Sequence, residues 1–277
     1  MNQLSIIGNQ GKRTRFDPDL HNKVIREYEE QERKSKLEGK LKNQEIKLKN
    51  VDSQDLHSEN SLDFWGISNV PYRDGLYKVD LAKKLLDNGH SHTQDEWAEY
   101  SRQAQQQNKF YVGDFPLYHA LFTALSNVKD ATAEEAREFI KQQMISNYLM
   151  TLTRIRYAPK NQKDVVIHNY NQQDQYTKEL DSFIGPDGFI TQPNTTNTIE
   201  PLQALLDTKQ SLDQINQVYN WLTGVDARIW RISSEVKSPD ERIAGFGAGS
   251  GGAGLDCGRD LGVSDPSLGV RRAKIKK

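Results

Sequence analysis

The sequence predicts an α+β protein with a helical N-terminal half ahead of a small antiparallel sheet. Three observations carry that expectation. Helix-start chemistry recurs at Thr93, Thr132 and Ser211, apolar residues in the middle of the chain repeat at three-to-four spacing, and the C-terminal third alternates with period two.

The apolar residues, 35% of 277, are unevenly spread. From Lys12 to about Asn60 the chain is dominated by Lys, Glu, Gln, Asn and Ser, with an apolar cluster only at Leu20, Val24, Ile25 and Tyr28. Such a segment buries too little apolar area to offset its chain entropy, so residues 1–60 are expected to form a charged arm, helical or flexible. A folded domain over 61–277 is expected to begin near Phe64 and Trp65.

Within that domain, Thr93 with Glu96, Thr132 with Glu135, and Ser211 with Gln214 each match the capping box, in which a hydroxyl and a long polar side chain satisfy each other's orphan amides. After Thr132, the residues Phe139, Ile140, Met144, Ile145, Tyr148, Leu149, Leu152 and Ile155 make one broad apolar face, which predicts a central core helix. A preceding helix over Leu117 to Val128, with Leu121, Phe122 and Leu125 at compatible spacing, is expected to pack on it. Strands are expected at Val165–Ile167 and over Phe183–Thr191, the latter broken by the turn sequence Gly185-Pro186-Asp187-Gly188. A helix over Ser211–Leu222 and an alternating strand over Ala227–Ser233 follow.

The informative segment is GFGAGSGGAGLDCGRDLGVSDPS, from Gly245 to Ser267. Phe246, Ala248 and Ser250 alternate with Gly247, Gly249 and Gly251. After a one-residue shift, Ala253, Leu255 and Cys257 alternate with Gly252, Gly254 and Asp256. Period two sends one set to each face of a strand, so a core-compatible face backs a face of small residues. A flexible glycine-rich loop has the same composition. Glycine weakens strand interiors, so such a run on one face asks for a reason beyond stability.

The pattern running through Trp230–Ser234, Asp240-Glu241-Arg242-Ile243-Ala244-Gly245-Phe246, Cys257, Ser264, Pro266 and Leu268-Gly269-Val270-Arg271 resembles the C-terminal variable region of diversity-generating retroelement variable proteins, especially those of archaea and their viruses. The resemblance is most specific over about 227–273. It implies a C-type-lectin-like fold with a variable region at about 245–267, rewritten by a reverse transcriptase that errs at template adenines. It also implies a ligand-binding protein that makes or breaks no bond. Adenine changes in asparagine codons never yield Lys, Glu, Gln, Met or Trp, and none of the five occurs from Gly245 to Gly269. Glycine-rich loops share that absence.

Carried over position by position, the resemblance implies ligand-binding, diversified sites at Gly247, Gly249, Gly251, Gly252, Gly254, Asp256, Gly258, Asp260, Gly262, Val263 and Asp265, with Arg259, Leu261 and Ser267 as further candidates. Scaffold roles fall to Phe246, Ala248, Leu255, Cys257, Leu268 and Val270, and the Leu268–Arg271 run is the expected last strand, closing the domain near its beginning. The segment departs from the family pattern in its glycine content and in having no aromatic at these sites, an arrangement that supplies little affinity.

Other chemistries weigh less. Gly247-x-Gly249-x-x-Gly252 and Gly249-x-Gly251-x-x-Gly254 match dinucleotide-binding spacing, but no helix pattern follows and no Gly-Lys-Ser/Thr is present. An enzyme or binding module holding a phosphate-bearing ligand there is the alternative reading, and a viral structural or tail-associated protein is another. His90, His92, Asp95 and Glu96 are metal-ligand types that capping and surface roles explain. Gln192-Pro193-Asn194 resembles a calcium- and sugar-binding loop, but reads as a turn with no carboxylate cluster beside it. No cofactor, metal or catalytic residue is expected.

With Lys and Arg numbering 37 against 38 Asp and Glu, nothing suggests a nucleic-acid partner; the expected partner is an unidentified protein or surface ligand. One cysteine excludes an internal disulfide framework. The first residues lack a signal peptide's apolar run, and no stretch of about eighteen apolar residues suggests membrane insertion, so a cytoplasmic or virion-associated protein is expected.

Overall fold

A computed structural model describes residues 56–159, 162–181, 184, 188–189, 196–231, 236–249 and 252–275. Two sheets and five helices among them make a mixed α+β architecture. The arm expected over 1–60 falls outside the described residues as far as 55. Its last three residues instead form strand β1 (Ser58–Asn60), paired with β2 (Phe64–Tyr72).

β2 turns tightly into β3 (Gly75–Leu85) through Arg73, whose φ of 52° lies in the left-handed region. The terminal strand β11 (Leu268–Lys274) pairs with β3, so the last strand does close the domain at its beginning. The resulting antiparallel order is β1-β2-β3-β11.

Helix α1 (Gln94–Gln106) starts at Thr93 and α5 (Leu212–Thr223) at Ser211, and both capping boxes are formed. The one expected at Thr132 is not. α3 (Ala131–Ser146) is capped two residues earlier by Asp130, whose carboxylate accepts from the Ala133 amide at 2.8 Å. Glu135 instead accepts from Asn60 Nδ2 at 2.9 Å and from Trp65 Nε1 at 3.3 Å, tying α3 to the first sheet.

α3 is also shorter than its apolar pattern suggests. It ends at Asn147, and Leu149–Tyr157 is strand β4, buried at every residue except Arg156. Thr151, Thr153 and Ile155 are β-branched, and a strand covered on both faces is apolar without alternation, which imitates a helical stripe. The central core helix is α2 (Phe115–Val128) instead. Ten of its fourteen residues are buried, against four of sixteen in α3, where Ile145 is 56% exposed. Asp114 caps α2 by accepting from the Leu117 amide at 2.9 Å, and the helix touches β2, β4, α3, α5 and α4 (Thr196–Leu206).

The second sheet has the order β6-β5-β4-β9-β10-β8-β7. Its strands are β5 (Val165–His168), β6 (Tyr176–Glu179), β7 (Gly188–Phe189), β8 (Ala227–Arg231), β9 (Asp240–Gly249) and β10 (Gly252–Arg259), beside β4. A small antiparallel sheet after a helical half therefore needs correcting. Three strands precede the first helix, the sheet carrying the glycine-rich segment has seven strands, and β10 pairs with β8 in parallel. The period-two signal of β2 and β3 is diluted by bulges, one at Asn69 with φ of 62°. The expected turn at Gly185–Gly188 and the Gln192-Pro193-Asn194 triplet lie outside the described residues, apart from Gly188.

Candidate recognition surface

The glycine-rich segment is a β-hairpin of interior strands. β9 lies between β4 and β10, and β10 between β9 and β8, so amides along both strands serve the ladders rather than a phosphate. β10, not a helix, follows the glycines, so the helix that a dinucleotide fingerprint needs is missing.

Alternation sorts the two faces as the sequence indicates. Phe246, Leu255 and Cys257 are at most 1% exposed, and Ala248 packs partly buried against the same core. Phe246 carries much of the inner face, with ring centroids 4.4 Å from Phe115, 5.6 Å from Phe122 and 5.8 Å from Tyr118 on α2. Burial raises the Cys257 thiol pKa well above its ordinary value, so the thiol stays protonated. Leu268 and Val270, the remaining scaffold positions, are also buried.

On the outer face Gly247 lies directly across from Gly254, Gly249 across from Gly252, and Gly245 across from Asp256. Gly247, Gly254, Asp256 and Gly258 are each partly exposed. A bulge between Asp256 and Arg259 sets Cys257 and Gly258 against the single residue Ala244, and Asp256 Oδ1 accepts from the Gly258 amide at 2.8 Å. Burial, opposed by that bond, raises the Asp256 pKa.

Beyond the bulge, Asp260, Leu261 and Gly262 are exposed and Val263 partly so, in a turn closed by Val263 N–H donating to Asp260 O at 3.2 Å. Asp260 pairs with Arg242. Gly251 lies outside the described residues.

Asp265 and Ser267 do not share this exposure. Asp265 is buried. Its backbone exchanges two hydrogen bonds with His92, its carbonyl accepts from Trp97 Nε1 at 2.8 Å, and both its carboxylate oxygens lie 2.8 Å from one Arg259 nitrogen. Ser267 is fully buried and donates to Met150 O at 2.8 Å. These bonds anchor the chain leaving the surface to α1 and β4.

Three residues outside the expected set border the surface. Tyr148, just past the end of α3, lies over Gly245 and Gly247. Its hydroxyl donates to Asp256 O at 3.1 Å, and the Arg259 guanidinium stands 4.2 Å from its ring centroid. Arg228 and Trp230 on β8 lie in register with Gly254 and Asp256, and Trp230 is 41% exposed. The signal for these two was present, since Ala227 and Ile229 alternate with them and are buried. Tyr148 was hidden by its apparent place on a helix.

His90 and His92 both face Asp87, at 3.7 and 2.7 Å, while Glu96 completes the α1 cap and Asp95 pairs with Arg154. Among the described residues no group of three or more His, Cys, Asp or Glu is arranged to hold a metal ion, and no helix is long and apolar enough to cross a membrane. No family model, curated protein or solved structure matches the chain.

Proposed function

We propose that this is a ligand-recognition protein of the diversity-generating retroelement variable type, with a C-type-lectin-like fold and a replaceable surface on the outer face of the β9–β10 hairpin and the turn at 260–263. It acts by binding and makes or breaks no bond. The observation that carries this reading is the unequal room around the glycines. A Cβ added at Gly247 would meet only Tyr148 Cδ2, at 3.8 Å, and one at Gly262 would meet nothing within 4 Å, while Phe246, Leu255 and Cys257 on the hairpin's inner face are buried. Side chains can therefore change there without disturbing core contacts.

Gly254 is tighter, 3.2 Å from Gly247 O, which suits small residues at that pair. Trp230 supplies the aromatic anchor that the glycines lack, on a strand outside the diversified set, and Arg228 lies beside it. Asp265 acts as scaffold in this reading, because its replacement would leave Arg259 without its carboxylate.

The test is to sequence the DNA flanking the gene. The expected finding is a near-copy of the segment encoding Gly245–Arg271, differing chiefly at adenines, close to a reverse transcriptase gene. Absence of both a copy and a reverse transcriptase gene would sink the proposal.

A further inference from the structure

A pocket of about 150 Å³ that shares no lining residue with the recognition surface lies between the β2–β3 turn, one face of α2 and the α4–α5 connection. On α2 it is lined by Pro116, His119, Ala120 and Thr123, spaced so as to fall on one side of the helix.

Two polar atoms on that stripe, His119 Nδ1 and Thr123 Oγ1, have no hydrogen-bond partner in the protein although both are buried. Buried groups of this kind are ordinarily satisfied, and a threonine inside a helix commonly bonds the carbonyl one turn back. Burial pushes the His119 pKa down to about 4, so the ring is neutral at physiological pH. Its Nε2 stands 2.8 Å from Gln210 Oε1. With the amide in that orientation Nε2 carries the proton, and Nδ1 is a bare acceptor.

The charges around the pocket are already answered. Arg73 donates to Asp174 at 2.8 Å and lies over the Tyr176 ring. Asp207 accepts from the Tyr176 hydroxyl at 2.7 Å and faces Lys178 at 3.0 Å. An ionic ligand would meet no uncompensated opposite charge, and the walls at Pro71, Pro116, Ala120 and Leu206 are apolar.

We infer that this pocket binds a small neutral alcohol or polyol, one hydroxyl of which donates to His119 Nδ1 and accepts from Thr123 Oγ1 while its hydrocarbon lies against the prolines and Leu206. A hydroxyl both donates and accepts, so one oxygen can serve both orphan groups; a carboxylate has no proton for Nδ1, and an ammonium, which could donate to both, would bring a charge that no free carboxylate around the pocket answers. An apolar cavity of about 150 Å³ accepts a benzene-sized molecule, which limits the ligand to about six non-hydrogen atoms. The inference is independent of the proposed function.

The experiment is a titration of the full-length, isotopically labelled protein with 1,2-propanediol, followed by amide shifts and by the nitrogen resonance of His119 Nδ1. Saturable shifts are expected at Arg73, along His119–Thr123 and at 206–210, with Kd on the order of millimolar for so small a ligand and with Nδ1 moving as it accepts a hydrogen bond. Thr123→Val keeps the shape and removes the hydroxyl, and should weaken binding about fivefold. Propionate, similar in size and charged, should not bind. Shifts that fail to saturate, an Nδ1 resonance that does not move, or equal affinity in T123V would each overturn the inference. The Nδ1 reading uses the unsubstituted protein, so it stands even where the variant does not fold.

Discussion

Gly245 and Gly247 are two residues apart on one face of one strand, and their surroundings are opposite. A Cβ on Gly245 would come within 2.4 Å of Tyr148 Cε1 and 2.6 Å of Leu149 O, whereas one on Gly247 would make a single ordinary contact. The same contrast recurs further on: Gly269 has Leu86 Cδ2 at 2.7 Å, and Gly262 faces open space. Glycine at the root of the surface admits an aromatic ring or a neighbouring strand, while glycine at its middle and rim leaves room. The residue type alone therefore does not tell a structural position from a replaceable one; what packs over it does.

The sharpest way to break that comparison is to cross to the inner face. Phe246→Ala removes a ring packed against three aromatic residues of α2 and should destabilise the protein by about 4 kcal/mol, read as a shift in the denaturant midpoint. A loss below about 1 kcal/mol would mean that the hairpin is not integral to the core. The outer face would then be no more tolerant than the inner.

Acid acts on buried groups away from the hairpin, on α2 and β5 and at the α2 cap. Burial holds His119 and His168 at about 4, below the ordinary 6.5. Each then contributes stability that is present above pH 6.5 and lost as pH falls toward 4, on the order of 3 kcal/mol apiece. Asp114 runs the other way. Burial raises it from 3.8 to about 6, so its contribution is present below 3.8 and lost as pH rises through 6. It offsets roughly one histidine. Unfolding measured from pH 7 to 4 should show a net loss of about 3 kcal/mol, and His119→Gln with His168→Gln should reverse the slope. Substitutions at Gly247 or Gly262 should leave the pH profile unchanged.

How much of this was legible in the sequence follows from how local each signal is. The boxes at Thr93 and Ser211 are closed by residues three apart, and the alternation from Phe246 to Cys257 needs only a strand to express it, so each was readable. Thr132 was misread because Asp130 offers the same cap two residues earlier and Glu135 is engaged by Asn60 and Trp65, more than 60 residues distant in sequence. β4 was misread because full burial erases its alternation. At the surface, the open positions could be read from period two, but not the burial of Asp265. That depends on His92, Trp97 and Arg259, which only the tertiary fold brings together.

The comparison itself is tested by two substitutions of equal chemistry. Gly245→Ala forces the Tyr148 ring and the Leu149 carbonyl apart and should lose about 2 kcal/mol or more. Gly247→Ala should lie within about 0.5 kcal/mol of the parent, or stabilise slightly by restricting the unfolded chain. Gly262→Tyr extends the argument to a large side chain. Its position has no neighbour within 4 Å, so the change in thermal midpoint should be about as small, and the ring should add apolar contact area facing solvent. If Gly262→Tyr and Gly247→Ala both destabilise as much as Gly245→Ala, the open half of the surface is not open in solution. The case for a replaceable recognition face would then fail, whatever the flanking DNA contains.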